Sequence, residues 1–321
     1  MSVLILSEPD VREVLDMESC VAAMEDVLTR LARGELTNPL RSLMRPGGPA
    51  VMGLMPAHAG GERPVFSLKE IVIAPANSQH RLDPHQGAVL LHDGITGQLI
   101  AVLNASPITE IRTAAVSGVA TKLLARAGSR TVAILGSGVQ GRSHVEVMQT
   151  VVDDPIIRIW SRTPAHAEAL ALETHSLVAA SIEEALDGAD IVCVCTAARE
   201  PIVELGWLAP GTHLNAVGSS VAVTRELTSE LVAAATLFVD RRESTLNESG
   251  DYLLAVAEQR IGPDHIVAEL GDLLTGRHPG RRGDDELTVF KSLGIAVEDL
   301  AAAELCVARA RERGIGTEVD F

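Results

Sequence analysis

The segment that most restricts the fold of this chain is Gly136-Ser137-Gly138-Val139-Gln140-Gly141, because of what flanks it. An apolar run, Thr131–Leu135, leads into it, and a helical pattern from Val139 to about Val151 leaves it. Glycines alone would say little, since loops need them. Between a buried strand and a helix each has a task. The first permits the tight turn, the second lets the backbone approach a pyrophosphate, and the third lets helix and strand pack closely. The helix start offers unpaired N–H groups to the phosphates. Gly136, Ser137, Gly138, Val139, Gln140 and Gly141 are therefore the expected cradle of a dinucleotide.

From Arg130 onward strands and helices alternate, which predicts a parallel Rossmann sheet. Its expected strands are Thr131–Leu135, Ile156–Trp160, Ile191–Cys195, His213–Val217, Thr236–Val239 and Leu287–Phe290, and a helix Ile295–Arg313 closes the chain. Ser181 with Glu184 three residues on reads as a capping box. Before Arg130 the pattern is a short strand Val3–Leu6 and a helix Val11–Leu31. Four β runs follow, Val51–Met55, Val65–Ile73, Ala88–His92 and Leu99–Leu103, and then a helix from Thr109 to Arg126. A length of 321 residues suits two domains. The fold class is α/β. One domain is expected over residues 1–125 and a Rossmann domain over 126–299, with the tail 300–321 packing back on the first.

Only 2% of the residues are aromatic against 46% hydrophobic, so the core must be built from Ala, Val, Leu and Ile. That suits buried parallel strands under Ala-rich helices. A net charge of −16 argues against a nucleic-acid partner, which needs clustered Lys and Arg, but leaves a small anionic substrate open. No apolar run approaches the ~18 residues that cross a bilayer. The N-terminus lacks a basic lead and a long enough apolar stretch for a signal peptide, so a soluble cytoplasmic protein is expected. Cys20, Cys193, Cys195 and Cys306 have no zinc-like spacing and read as buried free thiols, with no metal.

The second Rossmann strand chooses the nucleotide. An acid there usually bonds the ribose 2′-hydroxyl of NAD. Here the strand ends in Ser161-Arg162-Thr163. A guanidinium with two hydroxyls suits a 2′-phosphate, so NADP(H) is expected in preference to NAD(H). Ligands of such sheets lie at the carboxyl ends of the strands. That edge carries Thr196, then Val217, Gly218, Ser219 and Ser220, and then Lys291, Ser292 and Leu293. Lys69 is the odd residue of the apolar run Val65–Ile73. It either snorkels at a sheet edge or serves a buried anion.

Several short segments then combine in order and spacing: Pro39–Arg41, Gly53–Pro56, Lys69, Ile111–Ala114, Gly136–Gly141, His213–Gly218 and Thr288–Gly294. On these the chain resembles the ornithine cyclodeaminase and mu-crystallin family over essentially its whole length. That family contains cyclodeaminases, ketimine reductases and amino-acid dehydrogenases, typically homodimers whose first domain mediates dimerisation and supplies substrate-binding residues. The resemblance implies that Arg41, Lys69 and Arg112 surround a substrate carboxylate, with Arg112 and Thr113 also close to the cofactor. It further implies that Gln140 serves the pyrophosphate, and Ser292 and Leu293 the nicotinamide side. Arg45 falls outside the family pattern, and is either a loop arginine or a holder for a second carboxylate. His58 and His85 flank the Lys69 segment, as proton donors or as structural histidines. Residues 41–85 are expected to shape the substrate pocket.

One departure decides among the family's activities. Cyclodeaminases of the family carry Asp two residues after the glycine of the Asn-Ala-Val-Gly segment, where this chain has Ser220. Oxidising an amine by hydride loss wants a base near the nitrogen, whereas a protonated iminium accepts hydride without one. Ketimine reductases of the family resemble this chain both in that Ser and in the end of the second strand. A cyclodeaminase, moreover, recycles its NAD internally and has no use for NADPH. The expected activity is NAD(P)H-dependent reduction of a 2-imino acid, a cyclic ketimine such as pyrroline-2-carboxylate or piperideine-2-carboxylate. The alternatives are an ornithine or lysine cyclodeaminase, an alanine-type dehydrogenase, and an NADPH-binding crystallin-like protein with little turnover.

Overall fold

The computed structural model describes residues 2–74, 77, 82 and 85–321. Part of the 41–85 stretch expected to shape a substrate pocket therefore lies outside the described residues. The chain divides into two compact units, Met1–Arg112 with Gly294–Phe321, and Thr113–Leu293. The divisions fall after Arg112 and Leu293, whereas the sequence placed them near 125 and 299. The helix Ala105–Leu124 runs unbroken through the first of these points, so no linker composition marks it.

In the first unit the sheet order is Thr317–Asp320, Ser2–Leu6, Leu99–Asn104, His85–Asp93, Val65–Ile73, Val51–Ala59 and Leu36–Thr37, with Ser42–Met44 also on Val51–Ala59. Pairing is antiparallel except between Ser2–Leu6 and Leu99–Asn104. Strand Val51–Ala59 passes through Pro56, where the sequence reading stopped it. Ser42–Met44 pairs with residues 52–54 and Leu36–Thr37 with 58–59. Pro56 falls between those two short pairings, so its missing N–H costs no ladder bond there. Alternation buries Met55, Ala57, Ser67, Lys69, Ile71, Val89, Leu91 and Leu103 on one face, under the helix Ala296–Arg313.

The single helix expected over Val11–Leu31 is two, Glu8–Val14 and Met17–Ala32. Asp16 makes the break, because its carboxylate accepts the Ser19 N–H at 2.9 Å and caps a new helix. The second helix buries Met17, Cys20, Val21, Met24, Val27, Leu28 and Leu31, an i, i+3, i+4 stripe. The last helix ends at Gly314, whose φ of 68° closes it in the left-handed region.

The second unit holds a sheet of eight described strands, ordered Leu177–Val178, Ile156–Trp160, Thr131–Leu135, Ile191–Val194, His213–Ala216, Thr288–Lys291, Thr236–Val239 and Ile266–Glu269. Every pair is parallel. Six strands were expected and the short Leu177–Val178 and Ile266–Glu269 were not. The last strand in sequence, Thr288–Lys291, inserts between His213–Ala216 and Thr236–Val239. Strand Thr131–Leu135 lies between its successor Ile156–Trp160 and the later Ile191–Val194, so the order reverses there. A ligand is expected outside the carboxyl ends at that switch point. Ser181 caps the helix Ile182–Leu186 by accepting the Glu184 N–H at 3.1 Å, while the Glu184 carboxylate reaches back to the Ala180 N–H at 2.7 Å.

No helix among the described residues is long and apolar enough to cross a membrane. The four cysteines are buried free thiols.

Candidate active site

In the first unit Lys69 and Arg112 converge on two carboxylates, Glu298 and Asp299, that no local motif marks. Lys69 stands in the middle of strand Val65–Ile73, between Met55 and Val89 on the neighbouring strands, and is 2% exposed. It does not snorkel. Its Nζ lies 2.9 and 2.8 Å from the two carboxylate oxygens of Asp299, the first of these a well-directed hydrogen bond, and 3.4 Å from the Thr109 hydroxyl. Arg112 donates from Nε to Asp299 at 2.9 Å and from Nη1 to Glu298 at 2.7 Å. Glu298 and Asp299 occupy the first turn of the helix Ala296–Arg313, where the Glu298 carboxylate also accepts the Ile295 N–H at 3.2 Å. Arg41 donates to the Gly294 carbonyl at 3.3 Å. Gly294 has a φ of +72°, and a Cβ there would lie 2.3 Å from Arg112 Nη1. Only glycine lets the guanidinium lie against the chain at this point.

Lys69 and Arg112 are thus matched by Glu298 and Asp299, with the Arg41 guanidinium beside them on the Gly294 carbonyl. Such a buried group is a poor source of stability, because desolvation offsets most of the attraction. Its members are nonetheless oriented before any ligand arrives. Burial pulls the Lys69 ammonium down to about 8, Asp299 opposes this and Arg112 adds to it. Burial pushes the Asp299 carboxyl up, but Arg112 and Lys69 outweigh it and hold the group below the usual carboxylate range.

The other first-unit candidates lie apart. His58 is on the opposite sheet face from Lys69, stacked on Phe66 with ring centroids 4.5 Å apart. Strand alternation, invisible until the strand is known to run past Pro56, removes it as a proton donor at Lys69. Arg45 is exposed and forms no hydrogen bond or ion pair among the described residues. His85 begins its strand and is exposed.

The second unit builds the expected cradle. Gly136 turns with φ +120°, and a Cβ on it would lie 2.4 Å from the Cys195 carbonyl oxygen. A Cβ on Gly141 would lie 2.1 Å from the Gly136 oxygen, whereas one on Gly138 would meet nothing within 4 Å. The two outer glycines are thus required by packing, and the middle one opens onto free space at the start of the helix Val139–Val151. That helix has no side-chain cap, so its first N–H groups remain available to an anion. The Gln140 carboxamide oxygen is buried without a hydrogen-bond partner among the described residues. Val139 is exposed. The loop is tied to the second strand by Gly136 N–H to the Trp160 carbonyl at 2.8 Å and by Ser137 Oγ to Ser161 Oγ at 2.8 Å. Arg162 and Thr163 are exposed beside it, Arg162 with no partner among the described residues. These residues fit a dinucleotide.

At the other carboxyl ends the expected contacts are largely turned inward. Thr196, Gly218 and Ser219 give their backbone N–H groups to Glu226, and Val217 gives its own to Val194. Ser220 is half-buried. Lys291 is 1% exposed, with Nζ 3.0 Å from Asp251 at a poor hydrogen-bonding angle. Ser292 is buried, its N–H on the Ala216 carbonyl at 3.0 Å, and the Leu293 N–H is held by Asp240 at 2.6 Å. The Lys291 and Leu293 side chains are thus buried. Thr113 is buried at the start of the unit. Of the acids the sequence reading passed over, the adjacent pair Glu298-Asp299 had a signal, two carboxylates inside an apolar run at a helix start. Glu226 had none.

A model of the ornithine cyclodeaminase/mu-crystallin family matches residues 1–314. The chain belongs to that family. It is 43% identical over 256 residues to the ketimine reductase mu-crystallin of Mus musculus, spanning 79% of each chain. It is similar to the structure of Thermococcus litoralis Delta(1)-pyrroline-2-carboxylate reductase in complex with NADH and L-proline. There the TM-score is 0.94 and the identity 34%, over 99% of this chain and 100% of that one. An archaeal alanine dehydrogenase dimer with bound NAD is similar at a TM-score of 0.95 and 28% identity, over 100% of both chains.

Proposed function

We propose that this chain is an NADPH-preferring reductase of 2-imino acids, acting on cyclic ketimines of the pyrroline-2-carboxylate and piperideine-2-carboxylate class. The observation that carries it is the buried receptor in which Lys69 and Arg112 share Asp299, with Arg41 beside them on the Gly294 carbonyl. Such a receptor accepts the carboxylate of an imino acid and orients the C=N bond beside it. Asp299 holds both Lys69 and Arg112 in place. With a pKa of about 8, Lys69 is mostly protonated at neutral pH, and can hold the carboxylate or pass a proton to the nitrogen. The dinucleotide, when bound, supplies hydride to the imine carbon. A protonated ring nitrogen then needs no base, which suits the neutral Ser220. Two of the similar proteins are named for reduction of a ketimine and of Delta(1)-pyrroline-2-carboxylate. A steady-state assay tests the reading. NADPH oxidation should require a cyclic ketimine, and ammonia release from ornithine with catalytic NAD alone would replace it by a cyclodeaminase.

The NADPH preference rests on Arg162, flanked by Ser161 and Thr163 and exposed, without a partner among the described residues, at the end of the second strand. Hydrogen bonds to a charged group are worth about 1.5–3 kcal/mol, or about 10- to 100-fold in affinity. Arg162→Ala should raise the NADPH dissociation constant by that factor and leave NADH unchanged in parallel titrations. Equal effects on both cofactors would remove the preference.

We also infer a homodimer formed through the sheet face of the first unit opposite the helix Ala296–Arg313. Leu54, Leu68, Leu90 and Val102 share that face, partly exposed, and Phe66 is 49% exposed. A contiguous apolar strip of this kind marks an association surface. Leu68→Asp is expected to shift the particle from dimer to monomer mass in light scattering after gel filtration. A wild-type monomer would refute the assembly.

A further inference from the structure

The loops at the carboxyl ends of the strands Ile191–Val194 and His213–Ala216 are gathered by one carboxylate. Glu226 is fully buried. One of its oxygens accepts the Thr196 N–H at 2.9 Å and the Thr196 hydroxyl at 2.6 Å. The other accepts the Gly218 N–H at 2.7 Å and the Ser219 N–H at 3.1 Å. The same peptide that gives its N–H to Glu226 presents the Cys195 carbonyl to Gly136, where a Cβ would lie 2.4 Å away. Gly218 packs as closely on the Thr196 carbonyl, with a Cβ position 2.0 Å from that oxygen. Glu226 is itself anchored by Asp251, which accepts the Glu226 and Leu227 N–H groups at 2.8 and 3.0 Å.

We propose that Glu226 is the positioning residue of the dinucleotide site, its ionised carboxylate holding the Thr196 and Gly218–Ser219 loops, and through the Cys195–Thr196 peptide the Gly136 turn, in the cofactor-binding arrangement. This rests on the reading that the second unit binds a nicotinamide dinucleotide. Four donors on two oxygens are the hydrogen-bond set of a carboxylate, which only accepts. Charge-assisted bonds of this kind are about twice as strong as neutral ones. Protonation therefore loosens all three loops together.

The charged and titratable groups around Glu226 are Lys291 on the strand Thr288–Lys291, Asp251 on the helix Gly250–Ala257, and Cys195. Burial pushes the Glu226 carboxyl up, Lys291 and the Thr196 hydrogen bonds pull it back and Asp251 raises it, and it comes to rest at about 7. A raised carboxyl is ionised above that value and protonated below it. Cofactor affinity should accordingly be full above pH 7 and fall below it, by about tenfold between pH 8 and pH 6.

The test is titration of the apoprotein with NADH, whose lack of a 2′-phosphate removes that group's own ionisation, followed by fluorescence at pH 6 and pH 8. Wild type should show the tenfold weakening at pH 6. Glu226→Gln should bind at least about tenfold more weakly at pH 8, because its amide turns one acceptor oxygen into a donor facing N–H groups, and should show no pH dependence. Glu226→Asp, which keeps the charge on a shorter arm, should recover part of both. Cofactor-free thermal unfolding of each variant reports whether the unit still folds. Wild-type affinity that is flat from pH 6 to pH 8 overturns the proposal, even if Glu226→Gln fails to fold. Wild-type affinity in a folded Glu226→Gln overturns it as well. A wild-type protein that binds neither NADH nor NADPH at any pH would remove the dinucleotide reading and this proposal together.

Discussion

Replacing Lys69 by Met is expected to lower kcat/KM for a cyclic ketimine by about a thousandfold while leaving NADPH affinity near that of wild type. The substitution does two things to the receptor. It deletes the ammonium that lies within 2.9 Å of both Asp299 oxygens, and it leaves Asp299 with Arg112 as its remaining cation among the described residues. One of the positive charges that would attract the substrate carboxylate is then gone. Truncating one partner of a buried charge pair costs about 2–5 kcal/mol, and each 1.4 kcal/mol is about tenfold. Steady-state kinetics with NADPH saturating would read the effect, and a fall of less than about tenfold would exclude Lys69 from the receptor. The pH profile supplies a second reading. Lys69 sits at about 8, pulled down by burial. If its protonated form is the active one, kcat/KM holds below pH 8 and declines above it, some two units earlier than an ordinary lysine allows. Lys69→Arg, whose guanidinium does not titrate, should abolish that limb at whatever activity remains.

The glycines of the cradle should separate folding from binding. A Cβ on Gly138 would meet nothing within 4 Å beyond its chain neighbours, and its backbone φ of −80° is ordinary for any residue. Gly138→Val should therefore unfold within about 0.5 kcal/mol of wild type, as exposed substitutions do. It should nonetheless raise the NADPH dissociation constant at least about a hundredfold, because its methyls occupy the space where the pyrophosphate approaches the backbone. Gly141→Ala should do the reverse in kind. Its Cβ would lie 2.1 Å from the Gly136 oxygen, so the loop must move, at about 1–3 kcal/mol of stability. Calorimetry without cofactor and NADPH titration separate the two. Wild-type binding by Gly138→Val would show that the cradle is not where the dinucleotide lies.

These expectations were unequally legible. The cradle could be read because its determinants are contiguous: an apolar strand, three spaced glycines and a helix start within about twenty residues. The parallel strands were legible to within a residue or two for the same reason. The break at Asp16 was legible in principle, since Asp16 with Ser19 is a helix start, but an apolar period that runs on across Leu15 hid it. The short strands Leu177–Val178 and Ile266–Glu269 were not, because two to four residues carry no periodicity of their own.

The sequence by itself determined the Rossmann unit, its nucleotide-binding turn, the family, and the oddity of a lysine inside an apolar strand. All of these are local patterns or ordered sets of them. Tertiary structure alone decided what that lysine is for. Its partner Asp299 is 230 residues away, and Arg112 meets the same carboxylate across 187. It alone turned His58 to the far face of the sheet, and gathered Thr196, Gly218 and Ser219 onto Glu226. A buried charge acquires its partner from whichever element the packing brings beside it, and no spacing along the chain encodes that choice.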